Sequence, residues 1–120
     1  MVAKLPPLSE KDFLKQIIAL AQTLGWSCAH FKTAHIQRGD GSNYYATPVQ
    51  ADGKGFPDLV LLRPPRLLFI ELKTDRGRPT PGQCKWQTEL NSIPGVHAFM
   101  FRPSDWDRLV SLLSEKGGRE

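Results

Sequence analysis

Residues 55–73 read GFPDLVLLRPPRLLFIELK, and this stretch decides the fold of the chain. Two apolar runs flank a central turn, Arg63-Pro64-Pro65-Arg66, whose paired prolines favour a reversal of the chain. The stretch therefore predicts a β-hairpin. Neither run alternates apolar with polar residues, a pattern typical of strands in a sheet that is covered on both faces.

Charged residues stand at the open end of this hairpin. Asp58 precedes the first apolar run, and the second run closes on Glu71-Leu72-Lys73. Side chains two apart in a strand share a face, so Glu71 and Lys73 should point the same way, and the hairpin should bring Asp58 towards Glu71. Two carboxylates beside a lysine suit a hard divalent cation, with the lysine over a metal-bound water.

These residues also have simpler interpretations. Asp58 could end the loop after Pro57, and Glu71 with Lys73 could be a charge pair that protects an edge strand from aggregation. The apolar run before Glu71 favours a central strand, where charge is normally excluded. We therefore expect Asp58, Glu71 and Lys73 to form a site.

Helix signals and further apolar runs lie on both sides of the hairpin. A first helix begins at Ser9, with Asp12 at the capping-box position, and ends at Gly25. A second helix begins at Thr80, with Gln83 at the capping-box position. The remaining segments are predicted strands at 26–31, 59–62, 67–70 with Glu71-Leu72-Lys73 at its end, and 96–101, and a last helix from about 103. The prediction is an α/β domain with the order αβββαβα.

The first helix carries a carboxylate on its apolar side. At about 100° per residue, Glu10 projects onto the middle of a stripe formed by Phe13, Leu14 and Ile17. An acidic residue in the first turn can also serve only to favour the helix dipole. The position of Glu10 on the apolar stripe favours a side chain that faces the site.

The segment 32–55 shows little periodicity and is rich in glycine, so we predict a long loop. A loop of this length inside a small domain is uncommon unless it is functional or disordered. Part of it, at 43–47, has strand propensity and could extend the hairpin. Its basic and aromatic side chains suit contact with nucleic acid, although a solvated loop without a partner is the alternative. These side chains are Lys32, His35, Arg38, Tyr44, Tyr45 and Lys54.

Length and charge agree with one small nucleic-acid-binding domain. The 120 residues suit a single domain, with a core from about 9 to 113 and a short polar tail at 114–120. Sixteen Lys and Arg against 12 Asp and Glu give a net charge of +4, which suits a polyanionic partner. We expect the basic residues nearest in sequence to the carboxylates to surround them. These are Arg63, Arg66, Lys73, Arg76, Arg78 and Lys85.

Several other classes of site are not favoured. Cys28 and Cys84 lack CxxC spacing and the three histidines match no zinc-ligand pattern, which argues against a zinc site or a disulfide framework. Cys84 has no histidine and acid nearby in sequence to activate it, so we expect a structural role. Trp86 and Trp106 fall on apolar helix faces and are expected in the core. No signal peptide or membrane-length run is present, which predicts a cytoplasmic protein.

The order of the charged residues resembles the VRR-Nuc family of the PD-(D/E)XK nuclease superfamily. The matching residues span nearly the whole chain, from about 9 to 113. They are Glu10, His30, Pro57-Asp58, Glu71-Leu72-Lys73, Gln83 and Trp86. The resemblance implies one nuclease domain across 1–120, with a restriction-endonuclease-like fold in which helices flank a mixed β-sheet.

The resemblance also implies a catalytic role for each site residue. Asp58, Glu71 and the Leu72 carbonyl would hold Mg²⁺ or Mn²⁺, with Glu10 as a further candidate ligand. Lys73 would orient or help deprotonate the attacking water and stabilise the transition state. Gln83 would steady Lys73 or a phosphate, although its capping-box position offers a purely structural explanation.

Chains similar to this one are typically phage or mobile-element nucleases that cut branched DNA, often as homodimers. The implied function is a metal-dependent endonuclease that selects Holliday junctions or other branched DNA, in the cytoplasm of a bacterial or phage-infected cell. It needs neither a membrane nor a small-molecule cofactor. The alternatives are a nicking or restriction-type nuclease, with specificity from the 32–55 loop or a partner, and a catalytically silent DNA-binding module. Candidate DNA contacts are His30, Lys32, Arg38, Lys54, Arg76, Arg78 and Lys85, of which His30 could instead pack at the core edge.

Overall fold

A computed structural model describes residues 9–31, 34–46 and 51–115. Its helices are α1 (Glu10–Thr23), α2 (Pro81–Asn91) and α3 (Trp106–Ser114), the last preceded by a 3₁₀ turn at Pro103–Asp105. Its strands are β1 (Ser27–His30), β2 (Ala34–Gln37), β3 (Asn43–Ala46), β4 (Leu59–Arg63), β5 (Arg66–Leu72) and β6 (Val96–Phe101). None of the helices in these ranges is long and apolar enough to cross a membrane.

The predicted hairpin is confirmed by the antiparallel pairing of β4 with β5, in which Leu61 lies opposite Leu68. Strand β1 is antiparallel to β4, and β6 is parallel to β5. The resulting four-stranded mixed sheet has the order β1-β4-β5-β6. Parallel neighbours require a long crossover connection, and α2 supplies it between β5 and β6. The α/β class is therefore confirmed.

The main core lies on one face of this sheet. Alternate residues of β4 and β5 are fully buried there, and α1 and α3 cover them with their own apolar faces. Trp106 packs at the edge of this core. The buried residues are Phe13, Ile17 and Ala21 of α1, Trp26 before β1, Leu59 and Leu61 of β4, Leu68, Ile70 and Leu72 of β5, Phe101 of β6, and Leu109 and Leu113 of α3.

Within residues 9–31, 34–46 and 51–115, the second face of the sheet is only partly covered, so the prediction of two covered faces is wrong for part of it. The other alternate residues point to this side, and Leu62, near the hairpin turn, is 44% exposed. The second layer is α2, which is about 16 Å long at 1.5 Å per residue, runs beside β6 and has no fully buried residue. A single short helix cannot cover four strands.

The helix starts follow the sequence signals. The Ser9 side chain accepts a hydrogen bond from the Asp12 backbone N–H at the start of α1, and Thr80 with Gln83 forms a complete capping box at α2. Gly25, with φ of +90°, follows α1 and allows the turn into β1. Local hydrogen bonding therefore fixes where both site-bearing helices begin.

The segment 32–55 is not a single loop, which corrects the predicted order αβββαβα. Strands β2 and β3 pair with each other as a separate two-stranded sheet and do not extend the central hairpin. The Asp40 carboxylate accepts hydrogen bonds from the Ser42 N–H and hydroxyl, and Gly41 has φ of +90°, so local turn chemistry forms this second hairpin. Lys32 lies outside the described residues.

Arg63 and Arg66 lie at the opposite end of the hairpin from Asp58 and Glu71, so their predicted place around the carboxylates is wrong. The two ends of β5 are about 20 Å apart at the rise of an extended chain. Both guanidinium groups stack on Trp26, at 4.7 and 5.0 Å from the ring centroid. They also donate hydrogen bonds to the carbonyls of Leu24 and Leu112, so they hold α1 and α3 to the hairpin turn.

Candidate active site

Asp58 and Glu71 meet where β4 begins and β5 ends. The register pairs Leu59 with Ile70, so Asp58 and Glu71 are the next residues across from each other. The Leu72 backbone N–H donates a 3.0 Å hydrogen bond to Asp58 Oδ2, and the Phe31 N–H donates a 3.1 Å bond to the Asp58 carbonyl. Backbone groups on both neighbouring strands therefore fix the position of Asp58.

The loop before Asp58 is anchored by the aromatic ring of Phe56. This ring makes edge-to-face contacts with Phe31, Phe69 and Trp86 at centroid distances of 5.6, 5.8 and 5.0 Å. Trp86 is half-buried on α2 rather than in the main core, and its indole N–H donates to the Asp52 carbonyl at 3.2 Å. The cluster joins the loop to α2 and to the second face of the sheet.

Gly55 lets this loop lie directly against the start of α2. Its φ is +87°, a left-handed conformation that costs any residue with a Cβ atom. A Cβ at this position would lie 2.5 Å from the Gly82 carbonyl carbon and 2.7 Å from the Gln83 nitrogen. Only glycine permits this approach, and it sets the Asp58 loop against the residue that contacts Glu71.

Glu71 is a buried carboxyl group surrounded by site residues. It is 3% exposed, and its Oε2 accepts a 2.8 Å hydrogen bond from Gln83 Nε2 and lies 3.9 Å from Lys73 Nζ. Its Oε1 is buried without a hydrogen-bond donor. Burial raises the pKa of Glu71 to about 8. The charge of Asp58 and a hydrogen bond with the Asp58 carboxylate act in the same direction, while the charge of Lys73 opposes them. Without a cation, burial and the Asp58 charge therefore favour the protonated form of Glu71.

The Gln83 amide has two partners. Its Oε1 accepts a 2.8 Å hydrogen bond from the Thr80 backbone N–H, which completes the capping box, while its Nε2 donates to Glu71. The structural and site interpretations of Gln83 are therefore compatible. The sequence predicts that Gln83 steadies Lys73 or a phosphate; its side-chain contact in the site is with Glu71.

Glu10 approaches the site from α1, on the opposite side from α2. The Glu10 residue is exposed, yet desolvation by neighbouring groups, and then the charge of Asp58, raise the pKa of its carboxyl group, while the charge of Lys73 lowers it. Glu10 thus lies within electrostatic reach of both residues, as its place on the apolar stripe of the helix predicts.

Lys73 is held by the turn that follows it. Its backbone N–H donates to the Phe101 carbonyl at 3.0 Å, and a Cβ on Gly77 would lie 3.4 Å from Lys73 Cδ, so the turn folds back on the lysine stem. The Arg102 guanidinium donates to the carbonyls of Thr74 and Gly77 at 2.7 and 2.6 Å. No sequence signal marks Arg102 for this role, because its partners lie more than 20 residues earlier in the chain.

The candidate DNA-contacting residues lie at several places in the structure, some of them in segments that adjoin the site residues. His30 is exposed on the strand beside Asp58, rather than packed at the core edge, and Lys54 is exposed in the loop before Asp58. Arg76 and Arg78 are exposed in the segment after Lys73. The two other described candidates do not adjoin Asp58 or Lys73 in sequence. Lys85 forms an exposed ion pair with Glu89 on α2, and Arg38 lies in the turn between β2 and β3.

The donors at the site suit one hard cation. Among the described residues, no three His, Cys, Asp or Glu side chains come together closely enough to hold a metal ion, so Glu10 does not complete such a set. The charge of Asp58 opposes ionisation of the facing Glu71, whose buried Oε1 has no hydrogen-bond partner, and a cation that replaces the proton would allow both carboxylates to ionise. Asp58 and Glu71 thus supply hard oxygen donors of the kind that Mg²⁺ and Mn²⁺ prefer.

The site thus combines a carboxylate pair, a lysine and an amide from four segments: the loop before β4, the end of β5, the residue after it, and the start of α2. Searches for similar proteins give no further indication of its chemistry. The chain matches no protein-family model, and no match is found among curated proteins or among solved structures.

Proposed function

We propose that this chain is a divalent-metal-dependent endonuclease that hydrolyses DNA phosphodiester bonds. The observation that carries the proposal is the buried Glu71, which contacts Gln83, faces Asp58 and Lys73, and has one oxygen without a donor. Burial of Glu71 at a strand end, with Asp58 and Lys73 partly buried beside it, has a high cost unless these groups serve a site. The strand order β1-β4-β5-β6, with α1 and α2 on opposite faces, supports a restriction-endonuclease-like fold.

In this proposal the two carboxylates bind the cation, and the other site residues orient the carboxylates and the attacking water. A Mg²⁺ or Mn²⁺ held by Asp58 and Glu71 would supply Lewis-acid charge to the phosphate and lower the pKa of a water. Leu72 N–H and Gln83 fix the two carboxylates from opposite sides. Lys73, only 16% exposed at its side chain, directs its ammonium group to the attacking water and stabilises negative charge that develops on the phosphoryl oxygens.

The proposed substrate is branched DNA, with recognition of shape rather than sequence. Strands separate all three described helices, so the described residues contain no helix-turn-helix to read base edges. The exposed cations near the site, Lys54, Arg76 and Arg78, suit contacts with the phosphate backbone. Symmetric cleavage of a four-way junction requires two sites, so the proposal includes a homodimer, which light scattering measures.

Cleavage of a DNA panel tests the proposed function. The panel contains four-way junction, flap, nicked, single-stranded and linear duplex DNA, each with Mg²⁺, Mn²⁺ or EDTA. The wild-type protein and Asp107→Ala, which removes an exposed carboxylate on α3, should cut with metal and not with EDTA. Asp58→Ala should be inactive, and Lys73→Ala should lose about 100-fold or more of the single-turnover rate. Metal-independent cleavage, or full activity in Asp58→Ala, would refute the proposal.

A further inference from the structure

An exposed aromatic ring lies beside the carboxylate pair. The Phe31 N–H bonds to the Asp58 carbonyl, which continues the β1–β4 pairing by one residue beyond His30 and Leu59. Alternation along the strands then places Phe31, Asp58 and Glu71 in one row on the second face of the sheet. Contact of Phe31 with Phe56, which itself packs on that face, agrees with this position.

The Phe31 ring packs against another aromatic ring and is also partly exposed to solvent. Phe31 packs edge-on against Phe56 at 80°, and Phe56 is held in turn by Phe69 and Trp86. Phe31 is nevertheless 43% exposed. Of the three large apolar side chains that are exposed in the described ranges, the others being Leu62 and Ile93, it is the aromatic one. A rigidly supported, exposed ring is suited to stacking.

The charge beside this ring favours a nucleic acid as the group that stacks on it. Lys54 is exposed in the loop that carries Phe56, the ring on which Phe31 packs. Single-stranded nucleic acid is bound where basic side chains follow the backbone and aromatic rings stack on the bases. Inside a continuous duplex a ring gains a free base face only by unstacking and kinking a base step, which has an energetic cost. Such a ring therefore stacks more favourably where bases are already unpaired.

We propose that Phe31 stacks on an unpaired base next to the scissile phosphate, so that the candidate site takes DNA with single-stranded character at a flap, gap or branch. The inference rests on the proposed nuclease function and names its substrate class. Phe31 is a specificity-determining residue in this account, and the carboxylates and Lys73 act on the phosphate beside it.

Binding measured in EDTA tests the role of Phe31 without requiring catalysis. The probes are a fluorescein-labelled flap DNA with an unpaired arm and a continuous duplex of the same length. Phe31→Ala should weaken flap binding by about tenfold, because the stacking of one base contributes about 5- to 150-fold to binding. The same variant should change duplex binding by less than about twofold. Phe31→Trp should bind the flap as the wild type does. Ile93→Ala, an exposed apolar residue in the turn beyond the far end of α2, is the matched control and should change neither.

Cleavage gives a second measurement of the same selectivity. With Mg²⁺, Phe31→Ala should lose the preference for flap over duplex while its duplex rate stays close to that of the wild type. Thermal melting checks folding, and Phe31→Leu, which keeps apolar bulk but has no ring, should behave as Phe31→Ala does. Equal loss on both DNAs, or no loss on either, would overturn the role of Phe31.

Failure of this inference is distinguishable from failure of the proposed function. If the wild type cuts DNA and Phe31→Ala keeps the same flap preference, the inference fails and the nuclease function stands. If the wild type binds the flap and cuts nothing, the nuclease function fails and the EDTA measurements decide on Phe31 alone. If the wild type neither binds nor cuts any DNA, both proposals fail.

Discussion

At the scale of single residues, Glu71 determines how the metal-free protein responds to pH. Its pKa rises from an ordinary value of 4.5 to about 8 in the folded state, chiefly through burial and the nearby Asp58 charge. Between these values the folded protein binds more protons than the unfolded chain. The contribution of Glu71 to stability is therefore fully present below about pH 4.5 and is lost as the pH rises through about 8.

Glu71→Gln should remove this pH dependence, because an amide stays neutral and can donate to Asp58. In urea unfolding with EDTA between about pH 5 and 9, the variant should show a flatter stability profile than the wild type and should be more stable at the alkaline end. Glu89→Gln, on the exposed side of α2, should keep the wild-type slope. If the stability of Glu71→Gln falls with pH as steeply as that of the wild type, the pH dependence comes from groups other than Glu71.

At the scale of elements, the start of α2 links helix capping to the site through Gln83. Glutamate is also favoured at this capping-box position but cannot donate a hydrogen bond to Glu71. Gln83→Glu should therefore keep most of the stability and lose most of the cleavage rate. Thr80→Ala should cost about 0.5–2 kcal/mol of stability and leave cleavage per folded molecule close to normal. Denaturant unfolding measures the stability of both variants, and single-turnover rates measure their cleavage. A wild-type cleavage rate in Gln83→Glu would leave Gln83 as a cap only.

The loop that carries Asp58 depends on the contact between Gly55 and α2. Gly95 also has positive φ, +83°, but a Cβ there would meet no atom within 4 Å. Gly95→Ala should cost about 1–2 kcal/mol for its conformation alone. Gly55→Ala should cost more, about 3 kcal/mol or above, and lower the cleavage rate per folded molecule because Asp58 must shift. Equal destabilisation of the two variants in urea unfolding would mean that the close approach is not required.

The two site helices and the hairpin follow signals that are local in sequence. Thr80 and Gln83 are three residues apart, and the turn at 63–66 lies between two apolar runs, so capping and pairing could be predicted. The interactions that could not be predicted join residues that are far apart in the chain. Arg102 bonds to the turn after Lys73 across more than 20 residues, and the partners of Arg63 become visible only when α1 and α3 pack on the hairpin.

At the scale of the whole molecule, the site forms where two layers meet the same end of one sheet. Helix α1 brings Glu10 from the core face, and α2 brings Gln83 from the second face. The sequence predicted Asp58, Glu71 and Lys73 as neighbours because strand periodicity and a hairpin suffice to bring them together. It could not predict which half of the second face stays open, because that depends on where the short helix α2 packs. Phe31 lies on this open half and was not among the predicted site residues.

The central claim is that Asp58 and Glu71 form a divalent-cation site, and calorimetric titration of the metal-free protein with Mn²⁺ tests it most directly. The wild type should bind Mn²⁺ near pH 7 and release a proton as it does so, because the pKa of Glu71 is about 8 before the cation displaces that proton. Proton release is read from the binding heat in two buffers of different ionisation enthalpy. Asp58→Ala and Glu71→Gln should lose this binding, while Asp107→Ala should keep it. Mn²⁺ binding of unchanged affinity in Asp58→Ala and Glu71→Gln would contradict the account.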